Sequence, residues 1–153
     1  MKKETLIKSA QKIAKVSEES LKEYVDKKEL LAAKINAVML KREDILDLIG
    51  GKKNIRMMKD NYNNHLLLIA SILQTPNPEA LVDTCLWEFR AYMSRGFISN
   101  YWSAQINIWI QLLKENISKK AFSEIISIYS WFCVNVPYFT IEADEKLGNK
   151  KYA

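Results

Sequence analysis

Apolar residues recur along this chain at helical spacing. Leu6, Ala10, Ile13, Leu21, Tyr24 and Val25 fall on one stripe of a 3.6-residue period, with Lys8, Lys12, Lys15 and Lys22 on the other side. The pattern predicts one long amphipathic helix over 4–25, whose stripe must cover another surface. A second helix is predicted over 28–39, with Leu30, Leu31, Ile35 and Met39 as its apolar face. A short third follows over 42–49. Glu43, Asp44 and Asp47 sit near its start, where negative charge suits the helix dipole, and Gly50 and Gly51 stop it. A fourth, over 53–74, changes character midway. Its first half is polar (59–64) and its second is apolar all round (66–70), which marks a helix end central to a fold.

Thr75-Pro76-Asn77-Pro78 is the clearest break in the chain. Asn77 reads as a cap, Pro78 as the first helical residue and Glu79 as first-turn acid of a fifth helix over 78–95, with Gly96 just past its end. Ser99 reads as the cap of a sixth helix through 115. Ser118 reads as the cap of a seventh over 119–135, which Pro137 ends. Residues 142–153 are polar and carry no stripe, so fraying is expected there. Four Gly and three Pro are too few for the turns of a sandwich or barrel. The expected fold is therefore all-α: a single domain over 1–141, a bundle of about seven helices, with a globin-like crossed arrangement as the main variant. Short loops from residue 53 onward favour antiparallel neighbours. Residues 53–139 form the expected core bundle, and the amphipathic helices of 1–50 lie across it or project.

Aromatic residues sharpen this picture. Thirteen of the sixteen lie between Trp87 and Phe139, including all four Trp. Rings in that density form a core, the wall of a pocket, or an interface. Asp83, Trp87, Arg90 and Ser94 share one face of the fifth helix, a shelf on which rings stack and charges orient a polar head group. Gln105 and Asn107 are the amides inside the apolar wrap of the sixth helix, and a buried amide needs partners. An exposed Trp131, with Tyr138 and Phe139, would mark a contact surface. The candidate ligand set is Trp87, Tyr92, Trp102, Gln105, Trp109 and Tyr129, with Arg90 and His65 as polar anchors. On that reading, Trp109→Ala weakens binding far more than stability.

Chemistry is sparse. His65 is the one histidine, which excludes a His-rich metal site and any relay that needs a second His. It could serve as one axial haem ligand or one general base. No Glu-x-x-His occurs, so the carboxylate-bridged di-iron pattern is missing. Cys85 and Cys133 are not ligand-spaced and read as small buried apolar residues on helices. The chain assigns no catalytic residue, metal or cofactor; an enzyme is the class it supports least, and Glu88, Asp83 and Tyr92 are the acid–base groups such an enzyme would use in a pocket. Residues 1–64 hold 15 Lys/Arg against 10 Asp/Glu, the whole of the +5 net charge. A lysine-rich half suits an anionic partner such as nucleic acid, but acidic residues interrupt every basic cluster and only four residues are Arg. The start is charged rather than apolar and no run is long enough to span a bilayer, so a cytoplasmic protein is expected.

The segment Cys85-Leu86-Trp87-Glu88-Phe89-Arg90-Ala91-Tyr92, on a helix about halfway along, resembles the chromophore helix of the phycobiliproteins, which are globin-like helical proteins. The resemblance covers that one helix. It implies a globin-like architecture and a tetrapyrrole linked to Cys85, although the family carries Arg and Asp where this chain has Trp87 and Glu88. The expected function is a non-enzymatic helical sensor that binds a small apolar or aromatic ligand in an aromatic-lined pocket, or associates with a second copy of itself as a homodimer. The alternative is a nucleic-acid-associated or protein adaptor using the Lys-rich N-terminal helices.

Overall fold

A computed structural model describes the backbone over residues 3–151 and the side chains over 3–148. Eight α-helices follow in order: α1 (Lys3–Ala10), α2 (Glu18–Asp26), α3 (Lys28–Leu40), α4 (Ile45–Ile49), α5 (Ile55–Gln74), α6 (Pro78–Ser94), α7 (Ser99–Asn116) and α8 (Lys119–Lys151). A single 3-10 turn, Lys52–Asn54, precedes α5, and there is no strand among the described residues. The fold is an all-α single domain, with one helix more than the periodicity predicts.

The extra helix arises because the first predicted helix is broken. Residues 11–17 leave the helical path, and Ile13 and Val16 sink into the core. Ser17 takes an extended conformation and caps α2, accepting from the Ser20 N–H. The break is held from α8. Glu124 accepts from the Ser17 N–H at 2.9 Å and the Ser17 hydroxyl at 3.1 Å, and also from the Ser20 hydroxyl. These donors hold the Glu124 carboxyl below its ordinary range. The arrangement is reciprocal. Ser118 caps α8 by accepting from the Ala121 N–H, and Glu23 of α2 accepts from both the N–H and the hydroxyl of Ser118. Periodicity sees the stripe of 4–25 but not a carboxylate a hundred residues away.

The last helix differs from expectation in the opposite sense: Pro137 does not end it. Proline removes the N–H that the Cys133 carbonyl would accept, but Cys133, Val134 and Pro137 lie on the exposed side of α8, where water can take that carbonyl. The inner side, with Phe132, Val136, Phe139 and Ala143, stays seated on the core. The polar stretch beyond 141 is thus not a frayed tail as far as Lys151. Ala143 is fully buried, and Glu142 accepts from Arg90 Nε at 3.1 Å and pairs with its Nη2 at 3.0 Å.

The N-terminal helices neither project nor lie on a finished bundle. α1 packs on α6, α2 fits between α5 and α8, α3 packs on α5 and α7, and α6 and α7 both pack on α8. One apolar cluster runs from Leu6 to Ala143. α5 is central, but its second half is not enclosed on every side, since Leu67 is exposed. Trp131 is not exposed either. α1 covers it, and its Nε1 donates to Ser9 Oγ at 2.9 Å.

Two glycines fix the α4 and α6 ends against each other. Gly50 and Gly96 both have positive φ, and a Cβ on Gly50 would meet the Gly96 backbone at 2.8–2.9 Å. Beside them the Asn54 amide donates to the Ile49 carbonyl at 2.7 Å and the Arg95 carbonyl at 2.9 Å. Asn54→Ala leaves both carbonyls without that donor and should lower stability by about 2 kcal/mol or more. Gly51→Ala carries only the strain of an L residue at φ 113, since a Cβ there meets nothing within 4 Å, whereas Gly50→Ala adds a clash with the Gly96 backbone. Urea unfolding midpoints of Asn54→Ala and Gly50→Ala check both losses, and a Gly50→Ala protein of near wild-type stability would contradict the close approach.

Candidate functional site

Ten of the thirteen rings in the aromatic block are buried, Phe122 and Tyr138 are half-buried, and Trp87 alone is exposed, at 67 %. The rings pack against one another. Trp102 stacks on Phe89 with centroids 3.9 Å apart, and Trp109 stacks on His65 at 4.8 Å. The candidate ligand set therefore divides. Trp102, Gln105, Trp109, Tyr129 and His65 are all buried; Gln105, Trp109, Tyr129 and His65 make their hydrogen bonds inside the protein, whereas the Trp102 Nε1 has no partner among the described residues. Trp87 and Arg90 reach the surface of α6, while Tyr92 is buried and borders the α5–α6 cleft from within. Two ion pairs flank the Trp87 shelf: Lys3 with Asp83, and Arg90 with Glu142. Arg90 thus pins α8 to α6.

A polar chain threads the interior. Glu88 accepts from the Asn61 amide nitrogen, and the Asn61 oxygen accepts from Tyr101 Oη at 2.8 Å and Gln105 Nε2 at 2.9 Å. Trp109 Nε1 donates to the Gln105 oxygen at 3.1 Å, so the buried amide finds its partners within the protein. Beyond the Trp109 stack, His65 Nε2 and Tyr129 Oη share a hydrogen bond at 2.9 Å, and Tyr129 Oη and Tyr24 Oη share another at 2.8 Å. Burial drives His65 down to about 3, so its imidazole is neutral. Burial also raises the Tyr24, Tyr101 and Tyr129 hydroxyls above their ordinary range.

Asn61 and Glu88 were not in the candidate set. Asn61 looks like part of a polar run, yet Met58, Asn61, Tyr62, His65, Leu66 and Ile69 are all buried on one face of α5. The three-and-four spacing that marks helical stripes places Asn61 on this one, which is the signal that could have found it.

The chain of hydrogen bonds ends at an opening. Asn64 and Leu68 of α5, with Thr84, Trp87, Glu88 and Tyr92 of α6, line a cleft of about 200 Å³. Glu88 is half-buried here, and among the described residues no Lys or Arg lies within ion-pair distance of it. Burial pushes its carboxyl up to about 7, only partly offset by the Asn61 donor. Burial, with the neighbouring Glu88 and Asp60 charges, pushes Tyr92 up to about 12. On its other side Trp87 borders a second hollow with Arg90 and Lys146. A third concavity, apolar and about 420 Å³, runs between the α1 segment and α8, with Lys12 and Trp131 in its walls.

Cys85 is 1 % exposed inside α6, and burial raises its thiol well above the ordinary range, so a linked group there would require α6 to open. Cys133 is exposed. Among the described residues no group of three or more His, Cys, Asp or Glu side chains is gathered as a metal site, and no helix is long and apolar enough to cross a membrane. In the lysine-rich half, Lys3, Lys22 and Arg42 are paired with Asp83, Asp26 and Asp44. Comparison with family models, curated proteins and solved structures finds no match to this chain.

Proposed function

We propose that this chain is a non-enzymatic helical ligand-binding module, and that its ligand enters at the α5–α6 cleft rather than among the interior rings. The observation that carries this reading is the placement of Trp87. It is the one ring of the aromatic block left to solvent, and it stands beside a half-buried carboxylate at the mouth of a cleft. A concave site with an aromatic wall and one or two convergent polar groups is the ordinary form of a small-molecule site. The interior supports the same reading. A ligand lodged among Trp102, Trp109 and Tyr129 would have to break hydrogen bonds and stacks already made, whereas the cleft is open. A sensing role follows from the polar chain, because whatever touches Glu88 also acts on Asn61, and through it on Gln105 and Trp109.

The test is a nuclear magnetic resonance titration that follows the four Trp indole signals, using methylammonium, acetate, phosphate and indole as separate probes. Trp87→Ala assigns its own signal. The expected result is a saturable shift of Trp87 with at least one probe. The reading is overturned if no probe moves Trp87, or if saturable shifts appear only at Trp131 beside the α1–α8 groove.

A further inference from the structure

Resting on the assignment of the cleft as the binding site, the geometry points to a compact organic cation, an ammonium or guanidinium head group, as its occupant, with Glu88 as counter-ion and Trp87 as the ring beneath it. Every other half-buried acid with a resolved partner is accounted for within the protein. Glu142 holds Arg90, and Glu124 holds the hydroxyls and amide at the start of α2. Glu88 has one neutral donor, the Asn61 amide. A carboxylate taken out of water without a cation is costly, and a cation brought to it recovers that cost.

The groups facing Glu88 supply no positive charge. Asn61 and Asn64 come from α5, Thr84, Cys85 and Tyr92 from α6, and Tyr101 from α7, while Asp60 of α5 adds a further negative charge beside Tyr92. Arg90 and Lys146 line the hollow on the far side of Trp87, and Arg90 is already held by Glu142. Trp87 joins no ring pair among the described residues, so its face is free. Trp is the strongest of the aromatic side chains at attracting a cation over its ring. An anion would meet the Glu88 charge, and a neutral guest would leave the carboxylate unpaired. The volume of about 200 Å³ admits a head group with a few carbons.

Cation binding carries a proton balance. Below neutrality Glu88 holds a proton, which leaves to the buffer as the cation arrives, so one positive charge replaces another. Since burial places Glu88 at about 7, methylammonium should bind about tenfold more tightly at pH 8 than at pH 6. Glu88→Gln keeps an acceptor for Asn61, and it should weaken methylammonium and guanidinium by tenfold or more and abolish the pH dependence. Trp87→Ala, at an exposed position, should weaken both cations several-fold and keep the pH dependence. A side-arm with N-acetyl-lysine amide separates the two sources of this chemistry. Tighter binding than methylammonium identifies a partner's side chain, and equal or weaker binding a free amine.

Equal affinity of wild type and Glu88→Gln for the cations overturns the inference. If indole shifts Trp87 while neither cation does, the cleft stands as a site and the cationic occupant is refuted. If no probe shifts Trp87, both readings fall.

Discussion

Trp109→Ala will unfold the protein more readily by about 3–5 kcal/mol, the range for emptying a buried Trp or Phe site. That is a large part of the stability of an ordinary domain. Trp109 is fully buried, stacks on His65, meets the edge of Tyr62 at 5.9 Å, and donates from Nε1 to Gln105. Its loss therefore opens a void and leaves the Gln105 oxygen without a donor. Trp87→Ala, at a side chain 67 % exposed, should change stability by about 0.5 kcal/mol or less. On the proposed reading the large stability loss falls on Trp109 and the loss of cation binding on Trp87. Urea denaturation of the two variants checks the ordering, and a Trp109→Ala protein of near wild-type stability would show that the interior is loosely filled.

Stability will also depend on pH in a way that Glu88 conceals. The unfolded chain protonates His65 near 6.5, while the folded chain refuses that proton until about 3. The unfolded state therefore binds more protons in this window, and the His65 contribution is lost as pH falls, by up to about 1.4 kcal/mol per pH unit. Glu88 acts in the opposite sense. Its folded value, about 7, lies above the ordinary 4.5, so its contribution is full below 4.5 and is lost as pH rises toward 7. Between 4.5 and 6.5 the two slopes oppose each other, and stability should change little. Below 4.5 the His65 slope is no longer opposed by Glu88, and it is joined by Glu124 and Asp44, whose lowered carboxyls lose their charge there. Stability should then drop steeply. Glu88→Gln should uncover the fall from pH 6.5 downward, and His65→Gln should flatten it. Unfolding midpoints from pH 3.5 to 8 read both slopes. An unchanged slope in Glu88→Gln would mean that Glu88 titrates as an ordinary surface acid.

The helices between residues 55 and 116 were legible because their signals are local, although Ile98 rather than Ser99 stands at the cap of α7 and makes no side-chain bond there. Asn77 with Pro78, Gly50 and Gly96 all act within a few residues, and each stands where the pattern puts it. What could not be read depends on distant partners. The break before α2 needs Glu124, the burial of Trp131 needs α1 laid across it, and the survival of α8 past Pro137 needs its inner face seated while its outer face meets water. The aromatic density was plain in the sequence, but density does not distinguish a filled interior from a lined pocket. That distinction turned on one residue, Trp87, whose position on α6 places it off the buried stripe of Leu81, Val82, Cys85, Leu86, Phe89 and Tyr92. Glu88 stands next to it, and its raised carboxyl comes from burial against other helices rather than from its neighbours in sequence.

The serine that starts α2 waits for a carboxylate lying 107 positions further along the chain. At a synthesis rate on the order of 10 residues per second, this leaves the segment without its closing partner for about ten seconds after it is made. Glu23 of α2 likewise has no Ser118 to hold until α8 begins to appear. The two ends of the protein complete each other's helices, so a nascent chain halted before α8 carries an N-terminal third that lacks both of these clasps.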